Sequence, residues 1–243
     1  GKGVAVASEN CVRCLGTTEA MRGIRIEATG YPRYDQWLDE RSAPPAARVA
    51  ITLMSYADRN YHAPENFRQV LELFVDKAAA HRAAMSGGAL DFVVKVKKPA
   101  DQPALESLNP RLRDPALGIR IVADEPLPHL VRRSRIVIGF NTLAMLESLM
   151  GDTAVVVPCW GDARREQEMS LLHHGEPDDQ EVAYFPESPA ALADLLDQAI
   201  AGALAPKASQ EVRFRRFSRQ SIVRSDEPAS LRVERFILEC LRG

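Results

Sequence analysis

Apolar residues along this chain fall into two alternating rhythms. Short, nearly unbroken apolar runs recur from end to end: "GVAVAS", "IRIEAT", "RVAITLM", "LDFVVKVK", "GIRIVA", "RIVIGF", "TAVVVP" and "EVAYF". Runs of that length bounded by turn residues read as strands, and runs apolar on both faces read as strands of a covered parallel sheet. Between them lie stretches at helical spacing. The clearest is "APENFRQVLELFVDKAAAHRAAM", where Phe67, Val70, Leu71, Phe74 and Val75 form one stripe, Pro64 and Glu65 sit in the first turn and "SGG" stops the helix. A helix is expected over about Asn10 to Met21, others over "PLPHLVRRS", "TLAMLESLM" and "SPAALADLLDQAIAGAL", and two more towards the end.

This alternation predicts an α/β fold: a Rossmann-like, mostly parallel sheet with helices on both faces, followed by closing C-terminal helices. "RSAPPAAR" interrupts it, because its prolines forbid regular structure. The expected division is therefore 1–43, the end of a preceding domain with a crossover segment, and 44–243, the Rossmann-like domain. The opening "GKGVAVASEN" lacks a Met and reads as a trimmed start, so part of the natural protein is expected upstream.

With 46% apolar residues the chain can bury a sizeable core, and a net charge of −2 argues against nucleic acid as a partner. No apolar run approaches the roughly 20 residues of a membrane span, and no signal-peptide pattern opens the chain. The four cysteines include one C-x-x-C pair, Cys11 and Cys14, without a second pair at zinc spacing, so no metal is expected and a reduced, cytoplasmic setting is. His173 and His174 are adjacent and cannot share a metal from one helix face; with "GEPDDQ" after them they read as a polar loop, a flap over a ligand. In "VRFRRFSRQ", Arg213, Arg216 and Arg219 spread over one side of an expected helix and Phe214 and Phe217 over another. A solvated face is the preferred reading there, and a peripheral contact with anionic lipid at the inner membrane the alternative.

Candidate chemistry concentrates in "RIVIGFNTLAMLESLMGDTAVVVP". In open parallel sheets ligands bind beyond the carboxyl ends of strands, where helix N-termini offer free N–H groups. Asn141 is expected to cap the helix and Thr142 to add a hydroxyl donor, making the Gly139–Thr142 turn an anion site or simply a capped helix start. Glu147 follows about a turn and a half later; by residue type it is a solvent-facing acid, or else a carboxylate that reaches a ribose beside the helix.

Ile136 to Pro158 resembles the donor-binding motif of bacterial glycosyltransferases of the GT-B fold, nearest the branch that makes surface and capsular polysaccharides, with kinship to CDP-glycerol glycerophosphotransferases. The resemblance implies that Gly139, Asn141 and Thr142 contact a diphosphate and that Glu147 holds the ribose. Three more segments are similar to the same family. "EATGYPRYDQW" resembles its crossover element, with Arg33 meeting a phosphate and Asp35 holding that Arg or capping the following helix. "FVVKVKKPAD" resembles a strand whose end contacts the donor: alternation puts Lys95 and Lys97 on one face and Lys98 on the other, and Lys97 or Lys98 is the expected contact. Lys98 stands where the family carries His, so no CMP-sugar is implied. "SIVRSDEPASLRVERFILECL" resembles the closing helix, with Asp226, Ser230 and Arg232 matching, or else is an ordinary terminal helix capped by Asp226.

The implied activity is transfer of a sugar from a nucleotide-sugar to a polysaccharide or lipid-linked acceptor, without metal or cofactor, since no D-x-D pattern occurs. The catalytic base is expected outside this chain. The alternatives are a CDP-glycerol-type phosphotransferase, a nucleotide-sugar 2-epimerase, and a non-catalytic scaffold of the same fold.

Overall fold

The computed structural model describes residues 2–37, 47–55, 64–84, 90–165, 171–218 and 227–242. The chain divides into two units, one made of Gly1–Pro44 with Glu211–Gly243 and the other of Pro45–Gln210. The closing segment, read from sequence as part of a 44–243 domain, thus groups with the first 44 residues.

The first unit contains a βαβ motif. Strand β1 (Gly3–Val6) runs parallel to β2 (Arg25–Ala28), with Gly3 opposite Arg25. Between them the Glu9–Gly16 helix starts at Ser8, whose hydroxyl accepts the Cys11 amide at 3.4 Å. This helix is shorter than expected: the chain leaves it at Thr17 and forms a separate tight turn over Glu19–Met21. The Ala229–Arg242 helix lies so close to β1 that a Cβ on Gly3 would come within 2.5 Å of Cys240 Sγ and of the Phe236 ring.

Residues 211–218 of the Gln210–Ser218 helix also belong to this unit. The expected split into an arginine side and a phenylalanine side does not hold. Arg213 is 1% exposed and shares the buried side with Phe217, one helical turn on, whose ring meets Tyr34 edge-on at 5.1 Å. Arg213 is therefore in neither a solvated stripe nor a lipid-facing one, and Arg219 lies outside the described residues.

The second unit is built on five parallel strands: β3 (Ala50–Met54), β4 (Asp91–Lys95), β5 (Ile119–Val122), β6 (Ser134–Ile138) and β7 (Ala154–Val156). Their order across the sheet is β5-β4-β3-β6-β7. Numbered within the unit this is 3-2-1-4-5, the Rossmann order, and the direction of growth reverses between β3 and β6. Ile51, Leu53, Val93, Val94, Ile136, Val137 and Ile138 are all fully buried, which is why these strands read as continuous apolar runs. The two fully buried polar residues inside them satisfy each other: the Thr52 and Ser134 hydroxyls are 2.7 Å apart, and Ser134 also donates to the Leu130 carbonyl.

The Pro64–Ala84 helix covers the sheet with Phe67, Val70, Leu71, Phe74, Val75 and Ala78, the stripe its spacing predicts, and Phe74 meets Phe92 edge-on at 5.4 Å. "EVAYF" is not a strand. Glu181 and Val182 finish the Pro177–Val182 helix, and only Tyr184 pairs with the sheet, through one parallel bridge to Val156. Among the described residues no helix is long and apolar enough to cross a membrane.

Candidate functional site

The strand order reverses between β3 and β6, the kind of point beyond whose strand ends open α/β sheets bind ligands, and the chain leaving β6 there is Gly139-Phe140-Asn141-Thr142. Gly139 is needed for close approach: a Cβ there would stand 2.5 Å from Met145 Sδ and 3.0 Å from Met54 Cβ. Phe140 turns inward and meets Phe67 edge-on at 6.2 Å, which anchors the turn in the core.

Asn141 is not the helix cap. Thr142 occupies that position, with extended backbone and no side-chain capping bond, and the helix runs only over Leu143–Ser148. The Asn141 side chain instead accepts the Leu171 amide at 2.9 Å, 30 residues away. Thr142 Oγ1 is buried and has no hydrogen-bond partner among the described residues. A six-residue helix carries little macrodipole, so this turn offers a buried hydroxyl rather than a strong field.

Glu147 is completely buried, contrary to the solvent-facing reading. As the chain stands its carboxylate is out of reach of a ligand in solvent.

Of the three lysines only Lys95 lies within β4, which ends there. Lys95 is half-buried and its ammonium donates to the Ala123 carbonyl; burial lowers its pKa against the pull of Asp124 and Glu125. Lys97 and Lys98 lie beyond the strand end and are exposed. The ends of β4 and β6 are two strand spacings apart, about 10 Å.

Two features of this edge were not anticipated. Asp162, in the Gly161–Arg165 helix, accepts the Glu65 and Asn66 amides at 3.3 and 3.2 Å, so the N-terminus of the long Pro64–Ala84 helix already holds an internal carboxylate. Gly161 makes this fit, with φ of +57° and Asn66 Oδ1 2.6 Å from where a Cβ would stand. An acid after an apolar strand and a glycine reads as a local cap, so nothing in the sequence pointed to a helix 97 residues earlier. Asp162→Ala is expected to cost about 1 kcal/mol, as for loss of an N-cap; urea unfolding that shows no change would remove the assignment.

The second feature is the segment read as a flap. Beyond the Leu171 contact, the His173 amide donates to buried Asp179 at 2.8 Å and the Gln180 side chain donates to the His174 carbonyl. His173 Nδ1 accepts the Gly175 amide at 3.0 Å, so a neutral ring carries its proton on Nε2. Burial, His173 and Arg164 lower the His174 pKa, opposed by Glu187.

The remaining family-like motifs lie in the first unit and hold each other. Asp35 accepts the Ala229 and Ser230 amides at 2.6 and 2.9 Å, capping the Ala229–Arg242 helix rather than the one that follows it or Arg33. Arg232, 5% exposed, donates from Nε to the Thr29 carbonyl at 2.8 Å and from Nη1 to the Glu227 carbonyl. Ser230 thus enters through its backbone. Arg33 is exposed with its guanidinium over the Tyr34 ring, 5.4 Å from the centroid. Asp226 lies outside the described residues.

No protein-family model matches the sequence, and no curated protein matches it. Among solved structures the chain is similar to the wall teichoic acid polymerase TagF, with a TM-score of 0.57 and 14% identity over 98% of this chain and 58% of that one. A second structure of TagF gives 0.53 and 11% over 98% and 57%. A glycosyltransferase from Rickettsia africae ESF-5 gives 0.49 and 14% over 98% and 64%. The chain therefore spans about three-fifths of the length of these proteins. At such identity the likeness speaks for the fold: an α/β, Rossmann-like domain.

Proposed function

We propose that this chain is the donor-binding part of a metal-independent, GT-B-type glycosyltransferase that acts on a cell-surface polysaccharide. The observation that carries the reading is the Gly139–Thr142 turn at the topological switch point, with a buried Thr142 hydroxyl that has no partner among the described residues. Leaving a buried hydroxyl unsatisfied costs about 1–3 kcal/mol, which a phosphate oxygen would recover if binding uncovers the hydroxyl, as it must uncover Glu147. Lys97 and Lys98, exposed two strands away, supply positive charge for the diphosphate as the glycosidic bond breaks. Glu147 binds the ribose in this reading only if nucleotide binding uncovers it. The likeness to a teichoic acid polymerase favours CDP-glycerol-type phosphotransfer as the second reading.

Thermal unfolding with CMP, CDP, UDP, GDP, dTDP and CDP-glycerol tests this. One of them at a hundredfold excess over its dissociation constant should add about 2.7 kcal/mol of stability, a rise of roughly 5–11 °C for a chain of this size. The rise should vanish in Lys97→Ala/Lys98→Ala, whose exposed sites leave the fold intact, and shrink in Glu147→Gln. A melting temperature unmoved by every ligand at millimolar concentration would sink the proposal, and a response to CDP-glycerol alone would select the second reading.

A further inference from the structure

We infer that the second unit carries a separate binding groove for a neutral saccharide, between the Pro177–Val182 and Pro189–Ile200 helices. The cavity has a volume of about 350 Å³, at the lower end of the range for small-ligand sites. Tyr184, Phe185 and Leu195, all half-buried, give it an apolar floor, while Glu187, Asp194 and Lys207 stand exposed around it.

Charge decides the class of ligand. Two carboxylates against one ammonium leave the lining at −1, so a phosphate or a nucleotide is repelled. Lys207 is also engaged: its Nζ donates to the Ala183 carbonyl at 3.3 Å and lies 5.6 Å from the centre of the Tyr184 ring. A cation would be drawn by the net charge yet meets the Lys207 ammonium as a like charge at close range, whereas a neutral molecule rich in hydroxyls meets no like charge at all.

The polar groups suit hydroxyls. Asp194 makes no hydrogen bond or ion pair with any described residue, and Glu187 has one long ion pair among them, with Arg164 at 3.9 Å, beside its charge interaction with His174. An ionised carboxylate accepts from two adjacent hydroxyls at once, and such charge-assisted bonds are the stronger kind. The floor offers apolar surface to the C–H face of a sugar ring. Tyr184 is fixed by its own donation to the Ala205 carbonyl at 3.0 Å, and burial raises its pKa, so it remains a phenol.

This groove does not rest on the nucleotide reading, and its test separates the two. The isotopically labelled chain is titrated with glucose, galactose, N-acetylglucosamine and maltose, and with inorganic phosphate and putrescine as anionic and cationic probes. At least one sugar should shift the Tyr184, Leu195 and Lys207 amide signals saturably, with a dissociation constant of order 1 mM. Glu187→Ala/Asp194→Ala should weaken that binding about tenfold or more while keeping its melting temperature and its response to nucleotide. The inference is overturned if none of the four sugars gives saturable shifts, if the double variant binds as well as the parent, or if phosphate or putrescine binds better.

Discussion

Arg232→Ala is expected to unfold the first unit more readily, by about 2–4 kcal/mol, the largest loss among the positions that resemble family motifs. Its guanidinium bridges the Thr29 and Glu227 carbonyls from a site only 5% exposed, so truncation leaves two carbonyls without their charged donor and a hole where the side chain lay. Arg232→Lys should recover only part of this, because an ammonium cannot reproduce a planar fork that reaches two carbonyls in fixed directions. The two tryptophans make the measurement clean, since Trp37 is buried in the first unit and Trp160 lies in the second. In a Trp160→Phe background, Trp37 fluorescence during urea unfolding reports the first unit alone. A loss below about 0.5 kcal/mol, the level of an ordinary surface change, would show that the clamp does not hold the unit together.

Gly139→Val should damage the second unit and remove its nucleotide response together. Even the first added carbon meets Met145 Sδ at 2.5 Å and Met54 Cβ at 3.0 Å. The thioether of Met145 has room to swing, but Met54 Cβ is fixed to the backbone of β3. Overpacking of this kind costs about 1–3 kcal/mol for alanine and more for valine. Monitored by Trp160 in a Trp37→Phe background, alanine and valine should form a graded series. Wild-type stability in both would mean that the turn is loosely packed and Gly139 is not needed for its closure.

Much of the second unit was legible because burial leaves a direct trace in composition. Ile51 and Leu53, or Ile136 and Ile138, are covered on both faces of a parallel sheet and so appear as unbroken apolar runs. The stripe on the Pro64–Ala84 helix was equally plain. "EVAYF" was misread because a short apolar run does not distinguish a strand from the end of a helix, and Pro177 had already started one. Alternation orders side chains only while a strand lasts, and β4 stops at Lys95, before Lys97 and Lys98.

The site was less legible, and for a different reason. Capping rules are local: they give a side-chain oxygen to amides two or three residues on. Asn141, Asp35 and Asp162 each give theirs to distant chain, at separations of 30, 194 and 97 residues for the Leu171, Ala229 and Glu65 amides. For Asn141 and Asp35, which lie in the segments resembling family motifs, the partner of each is set by the tertiary fold and not by its neighbours in sequence. Burial of Glu147 belongs to the same class, since a short helix with one acid gives no sign of which way the acid turns.

The first unit draws on residues up to Pro44 and again on residues from Glu211, with the whole second unit between them. During synthesis its early half must wait for its closing helix while roughly 170 residues are added, about 10–30 s at the ribosome's usual pace of ~5–20 residues per second. The second unit has all its strands by then and can fold first. For that interval β1 and β2 emerge without the Arg232 clamp or the helix that packs on Gly3, so the βαβ segment passes it without the tertiary contacts that later hold it.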